Sequence, residues 1–258
     1  MLTYCNQNTY KLRSLFVPMD DLTLIKRLEA SSSAVFTSQQ LAVLWRMPPT
    51  VSRVRAVRMV SRSVLVRINR GRYCLPSAPI LSVASGLVEP SYVSLLAALE
   101  FHGATTQSTG IIDVINPVRS GGVNVELEEG PFTIRMIRLA PDLVFGYSRE
   151  DIGGTVARIA ELERAVVDGL LLPGRMGLDE VVSGIRHGLH PGRALEMAVT
   201  TGRQVVVKRL GYLLSREGFK VSTNGLQLSR TYVPLDPRLP RRGTHDPVWR
   251  VIVNRVIE

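Results

Sequence analysis

The sequence predicts an α+β protein, with an N-terminal winged helix-turn-helix in residues 20–80 followed by a larger mixed α+β domain. Three observations carry this. Helix, helix, helix and hairpin signals follow one another between residues 20 and 80, the order of a winged helix. The basic residues gather in that same stretch. Beyond residue 90, strand-like and helix-like periods succeed one another with turn residues between them. The expected boundaries are an extension over residues 1–19, the winged unit over 20–80, a Ser/Ala/Gly/Pro-containing linker over 81–90, and the larger domain over 91–258.

Charge is the most informative bulk property. The 258 residues hold 32 Lys and Arg against 22 Asp and Glu, a net charge of +10. The first 80 residues hold twelve of the basic residues and three of the acidic ones, so an excess of nine lies there and an excess of one in the remaining 178. A basic module beside a near-neutral one is the electrostatic footprint of nucleic-acid binding. No apolar run approaches the ~18 residues that a membrane helix needs, and no secretory leader is visible at the start, so a cytoplasmic protein is expected. Cys5 and Cys74 are the two cysteines. Their separation suits neither a disulfide framework nor a zinc site, and two reduced thiols are expected, Cys74 within a strand. Neither a metal nor a cofactor is expected.

The elements of the winged unit follow from local chemistry. Asp20 and Asp21 open a helix in which Leu22, Ile25 and Leu28 recur and carboxylates occupy the first turn, where the dipole favours them. Ser31 to Ser33 end it. Thr37 is an N-cap with Gln40 three residues on, a capping box, and Phe36 can staple onto Leu41. That helix runs to Leu44 or Trp45. Pro48 and Pro49 force a break, and Pro49 suits the first position of a third helix reaching Arg62. Val64 to Ile68 and Arg72 to Leu75 read as strands joined by Asn69-Arg70-Gly71.

This order assigns the third helix to the major groove, with its first residues at base edges. Thr50, Ser52 and Arg53 lie there. Arg55, Arg58 and Arg62 follow at spacings that place them on one face, and arginine can fork onto guanine or onto phosphate. Arg67, Arg70 and Arg72 on the wing would reach backbone or minor groove. The expected partner is double-stranded operator DNA. Val51, Val54, Val57, Met59 and Val60 put apolar residues on more than one side of the helix, so its period leaves open which stripe faces the core.

In the larger domain, Tyr92, Leu95, Leu96 and Leu99 suggest a helix from Ser91 to His102-Gly103. Ile111 to Ile115, Val123 to Leu127 and Thr133 to Leu139 read as strands. Ile159, Leu162, Val166 and Leu170 suggest a helix over 157–172, and Val205 to Leu214 another. Trp249 to Val253 closes as a strand. The expectation is helices segregated from antiparallel strands.

No catalytic residue is assigned. His102 stands at a helix end without a second ligand or base at suitable spacing. Glu163 and Asp168, five apart, point to different faces and suit bonds to Arg or backbone. His187, His190 and His245 make no metal pattern. Gly153-Gly154 resembles a phosphate loop before a helix but lacks its Lys-Ser/Thr. Two rival readings stay open. One is a metal-dependent nuclease using Asp113, Glu126 and Glu128, although the lysine expected two residues beyond the second acid is missing. The other is a repressor whose larger domain senses a small ligand.

Several segments together resemble the AbiEi family of type IV antitoxins, described as transcriptional regulators of viral defence systems. They are Arg67-Ile68-Asn69-Arg70-Gly71-Arg72-Tyr73, Pro90-Ser91-Tyr92-Val93-Ser94-Leu95 through Leu99 to His102-Gly103, and Ile159-Ala160 through Glu163-Arg164-Ala165-Val166-Val167-Asp168. Val207-Lys208-Arg209-Leu210-Gly211-Tyr212-Leu213-Leu214 follows. Leu235-Asp236-Pro237, Pro240-Arg241-Arg242-Gly243 and Trp249-Arg250-Val251-Ile252-Val253-Asn254 close the set. They span residues 20–254 in the family's order. Arg164 stands where the family has lysine, and Val166-Val167 where it has leucines. Residues 1–18 have no counterpart in the family, which makes Met19 a candidate start. The resemblance implies autorepression through the wing domain. It also implies that the C-terminal domain counters a nucleotidyltransferase-like toxin without stable direct binding.

Overall fold

The computed structural model describes residues 20–257. The proposed extension over 1–19, with Cys5 and Met19, lies outside the described residues.

Three helices and a small sheet build the winged unit. Helix α1 (Asp21–Glu29) starts where the Asp20 carboxylate accepts from the Thr23 amide at 2.6 Å, and it buries Leu24 and Leu28. Strand β1 (Phe36–Thr37) leads into α2 (Ser38–Trp45) through the expected capping box. Helix α3 (Pro49–Ser61) follows, with proline in its first turn. Strands β2 (Val66–Asn69) and β3 (Arg72–Cys74) make the wing. β1 pairs antiparallel with β3, Phe36 opposite Tyr73, giving the sheet order β1-β3-β2. Cys74 is fully buried in β3, which pushes its thiol up to about 12.

The segment expected as a linker is instead helix α4 (Ile80–Gly86), with Val83 and Ala84 fully buried. Its Ser, Ala and Gly serve close packing rather than flexibility: a Cβ on Gly86 would stand 3.0 Å from Val35 Cγ2. The core of the winged unit continues through α4 into Val93, Val114, Ile134 and Met136. Backbone bonds cross as well, from Val156 N to Ser32 O at 2.9 Å and from Glu128 N to Pro76 O at 3.0 Å.

The larger unit is organised on a six-stranded sheet. Its strands are β4 (Tyr92–Ser94), β5 (Ile111–Asn116), β6 (Gly121–Leu127), β7 (Gly130–Arg138), β8 (Tyr147–Ile152) and β9 (Thr155–Ala160). Their order is β6-β7-β5-β4-β9-β8. The β5–β7 and β4–β9 pairs are parallel, so the sheet is mixed where an antiparallel one was expected. Tyr92 belongs to a strand, and α5 (Leu95–Phe101) starts only after it. All three residues of β4 are buried, and an apolar run buried on both faces shows no period that separates strand from helix. Ile159 likewise lies in β9, and α6 (Leu162–Leu171) begins later than the stripe suggested. Gly153 and Gly154, with φ of 58° and 81°, form the β8–β9 turn and precede no helix.

Helices α6, α7 (Leu178–Arg186), α8 (Pro191–Thr200) and α9 (Gln204–Arg216) share the second core with β4 and β9. A last sheet of β10 (Val233–Pro234), β11 (Thr244–Asp246) and β12 (Val251–Val253) packs against α9. The sequence pattern predicts none of β8, α7 and α8. β8 is Tyr-Ser-Arg-Glu-Asp-Ile and carries little apolar signal of its own.

Candidate nucleic-acid interface

Helix α3 is placed by its underside. Ser52 and Ala56 are fully buried and Met59 is 2% exposed, so this stripe faces the core. Small residues at the first two positions let α3 approach α2 closely, and the Ser52 hydroxyl donates to Ser38 O at 3.4 Å. The turn between the helices closes on Arg46, held at φ 53°, with Met47 N donating to Ala42 O at 3.0 Å. Pro48 precedes the helix and supplies no side-chain cap, so the first amides of α3 are left to other acceptors.

This geometry sorts the expected DNA contacts. Thr50, Arg53 and Arg58 are exposed on the outer side of α3. Ser52 is removed from the set: it faces α2, because the inward stripe is made of small residues rather than of the valines. Arg55 is also turned away from the outer face. Its guanidinium sits 5.0 Å from the centre of the Trp45 ring and 3.8 Å from the Asp21 carboxylate. Arg62, two turns later, meets the same carboxylate at 2.7 Å while remaining largely exposed. The face predicted to present Arg55, Arg58 and Arg62 together is therefore split: two of them dock on the first turn of α1, and Arg58 points outward.

The turn of the wing is tied to α2, while the arginines around it are exposed or half-buried. Ser38 N donates to Gly71 O at 2.9 Å, fixing the hairpin turn to the start of α2. Gly71 has φ 78°, a conformation that a side chain would strain. The register slips between Arg67 and Asn69, and Arg67 Nε donates to Asn69 O at 3.4 Å. Arg67 and Arg70 are exposed, and Arg72 is half-buried opposite Thr37. Among the described residues, no carboxylate forms a salt bridge with Arg53, Arg58, Arg67, Arg70 or Arg72.

Sequence reasoning noted the valines of α3 but left open which side they take. Val51, Val54 and Val57 are 49%, 53% and 56% exposed, on the side of α3 opposite its buried stripe. A helical wheel that allowed Ser52 and Ala56 as the core side would have exposed them.

In the larger unit the tempting acids are engaged. Asp113 receives a bidentate pair from Arg135 at 2.7 and 2.6 Å, and Glu126 and Glu128 are exposed on and beside β6. Glu126 stands opposite Pro131, four positions along β7 from the Arg135 that faces Asp113. His102 Nε2 lies 2.7 Å from Ala160 O, and Glu163 accepts from His190 N at 3.0 Å. Asp168 is fully buried with Arg164 at 2.6 Å, and it accepts from Ser94 Oγ at 2.7 Å and Tyr92 OH at 3.1 Å. Arg164 also lies over the Phe145 ring at 4.2 Å and donates to Leu143 O at 2.9 Å.

The fold is that of a winged helix-turn-helix built onto a mixed-sheet α+β unit. It is similar to the crystal structure of the RV2827C protein from Mycobacterium tuberculosis, with a TM-score of 0.55 at 14% identity over 89% of each chain. No family model matches the chain, and no curated protein matches it in sequence. Among the described residues, no helix is long and apolar enough to cross a membrane.

Proposed function

We propose that this chain is a cytoplasmic DNA-binding autorepressor and the antitoxin of a type IV toxin–antitoxin system, with no enzymatic activity of its own. The observation that carries the DNA-binding half is the exposed cationic set on α3 and the wing: Arg53, Arg58, Arg67 and Arg70 share two adjacent elements, with Thr50 exposed beside them, and among the described residues no carboxylate forms a salt bridge with them. Helix α3 enters the major groove of operator DNA, and the wing arginines hold the flanking backbone. Replacing Arg53 and Arg58 by alanine weakens binding to a duplex spanning the chain's own promoter. It also makes the logarithmic salt slope shallower by about one for each phosphate that is no longer neutralised. Unchanged affinity at two salt concentrations rejects α3 as the reader.

The antitoxin half rests on the sequence resemblance. The family-like segments of the larger unit meet one another: Tyr92 and Ser94 bond to Asp168, and the Trp249 ring lies where a Cβ on Gly211 would stand, 2.2 Å away. They specify a shared scaffold for an activity against a nucleotidyltransferase-like toxin that involves no stable complex with it. Co-expression with a growth-arresting nucleotidyltransferase-like toxin tests this, and the Arg53→Ala, Arg58→Ala variant is expected to restore growth as well as the parent chain. Failure of both to restore growth overturns the antitoxin reading and leaves the repressor reading standing.

A further inference from the structure

We infer that α3 reads thymine methyl groups through a valine stripe, so that the operator is fixed at thymines beneath this helix. The inference rests on the proposed DNA-binding role and adds what the helix recognises. The centre of the outward side of α3 is apolar, and its cations stand at the flanks. With Ser52, Ala56 and Met59 inward, the opposite direction is occupied by Thr50, Val54, Val57 and Ser61. Val51 lies at one edge, and Arg53 and Arg58 lie on the two flanks. Valine is a poor choice for an exposed helical position, because its branched Cβ restricts the side chain and its surface gains nothing from water. Scattered exposed apolar residues need no explanation, but two valines on the outward face with a third at its edge, spaced by three residues, form a stripe.

The flanks decide what covers it. A second copy of this chain laid face to face would bring Arg53 and Arg58 against the same residues of its partner, with no carboxylate in the stripe to offset them. A major groove offers the complement. Phosphates line both walls, where the flanking arginines reach, and the floor carries an apolar group wherever thymine presents its C5 methyl. Thr50 adds a methyl and a hydroxyl at the N-terminal end. Base selection on this face is therefore by methyl contact, and guanine forks from the arginines are secondary.

The test uses the full chain. A bound sequence is enriched from a random duplex pool, and each thymine is then replaced by deoxyuridine, which keeps pairing and removes only the methyl. Affinity is expected to fall about three- to fivefold for each contacted thymine, the worth of one buried methyl. The Val54→Ala, Val57→Ala variant is expected to bind the thymine duplex more weakly and to lose the distinction between thymine and deoxyuridine. Its melting temperature, unchanged from the parent chain, shows that the fold is intact. Two results overturn the inference while the DNA-binding reading survives. One is equal affinity for thymine and deoxyuridine duplexes while Arg53→Ala, Arg58→Ala still weakens binding. The other is an enriched sequence with no fixed thymine. If the arginine variant binds like the parent chain as well, the DNA-binding reading itself fails.

Discussion

The arginines of the two units differ in what holds them. In the larger unit eight of the eighteen arginines form salt bridges among the described residues, including Arg135 with Asp113, Arg164 with Asp168, Arg186 and Arg216 with Glu217, Arg193 with Glu161, and Arg238 and Arg255 with Asp236. In the winged unit only Asp21 serves this purpose among the described residues, and it takes Arg55 and Arg62. The same residue type thus ties distant elements of the larger unit together, whereas on the outer side of α3 and on the wing it meets no acid among the described residues. Guanidinium count alone separates neither role. What separates them is the supply of carboxylates within reach, and a cluster of unmatched cations is stable only while solvent, or a polyanion, surrounds it.

The contrast is broken most severely at the buried pair. Asp168→Ala leaves the Arg164 guanidinium fully buried without its counter-charge, and about 3–5 kcal/mol of stability is expected to be lost in urea or guanidinium unfolding. A loss below about 1 kcal/mol would show that the pair contributes no more than surface pairs do. A sharper comparison lies within α3. Arg55→Ala removes the cover of Trp45 and an ion pair with Asp21, and should cost about 1–2 kcal/mol. Arg58→Ala, one turn on and exposed, should stay within about 0.5 kcal/mol in the same measurement. Equal losses would mean that the two arginines play the same part, which the geometry denies.

The smallest effect concerns acid. Hydrogen bonds from Arg238 chiefly, joined by Arg255, hold the Asp236 carboxyl well below its ordinary value. A carboxyl depressed in the folded chain stabilises it above the unfolded value near ~4 and loses that contribution as pH falls further. Between neutral pH and pH ~3, the drop in urea midpoint should be smaller for Asp236→Asn than for the parent chain, although the variant is less stable at neutral pH. An identical drop would place the acid sensitivity in other carboxylates.

The family-like segments also divide between the two units. The segment Arg67 to Tyr73 makes the wing, where Arg67 and Arg70 are exposed, Ile68 and Tyr73 are buried, and Gly71 is required by its φ. The segments around Tyr92, Asp168, Gly211 and Trp249 are internal, and their residues touch one another. Trp249 Nε1 donates to Ser215 Oγ at 2.8 Å. Arg164, where the family has lysine, is suited to its site because its planar fork spans Asp168, the Tyr92 hydroxyl and Leu143 O at once. Motifs of this kind record packing, and a motif's recurrence inside a core says more about the scaffold than about its chemistry.

By itself the sequence determined the winged unit nearly element by element. The Thr37–Gln40 capping box, the Pro48-Pro49 break and the Asn69-Arg70-Gly71 turn are local signals, made by residues a few positions apart. The concentration of positive charge was equally plain, since it needs only counting. Tertiary structure alone decided which side of α3 faces out: burial of Ser52 and Ala56 depends on how closely α2 approaches, and Arg55 is drawn aside by Asp21, more than thirty positions away. It also decided that residues 80–86 pack as a helix, that Tyr92 to Ser94 form a central strand, and that the sheet is mixed. Burial on both faces erases the alternation by which a strand is read, and parallel pairing joins segments too distant for any local signal to connect.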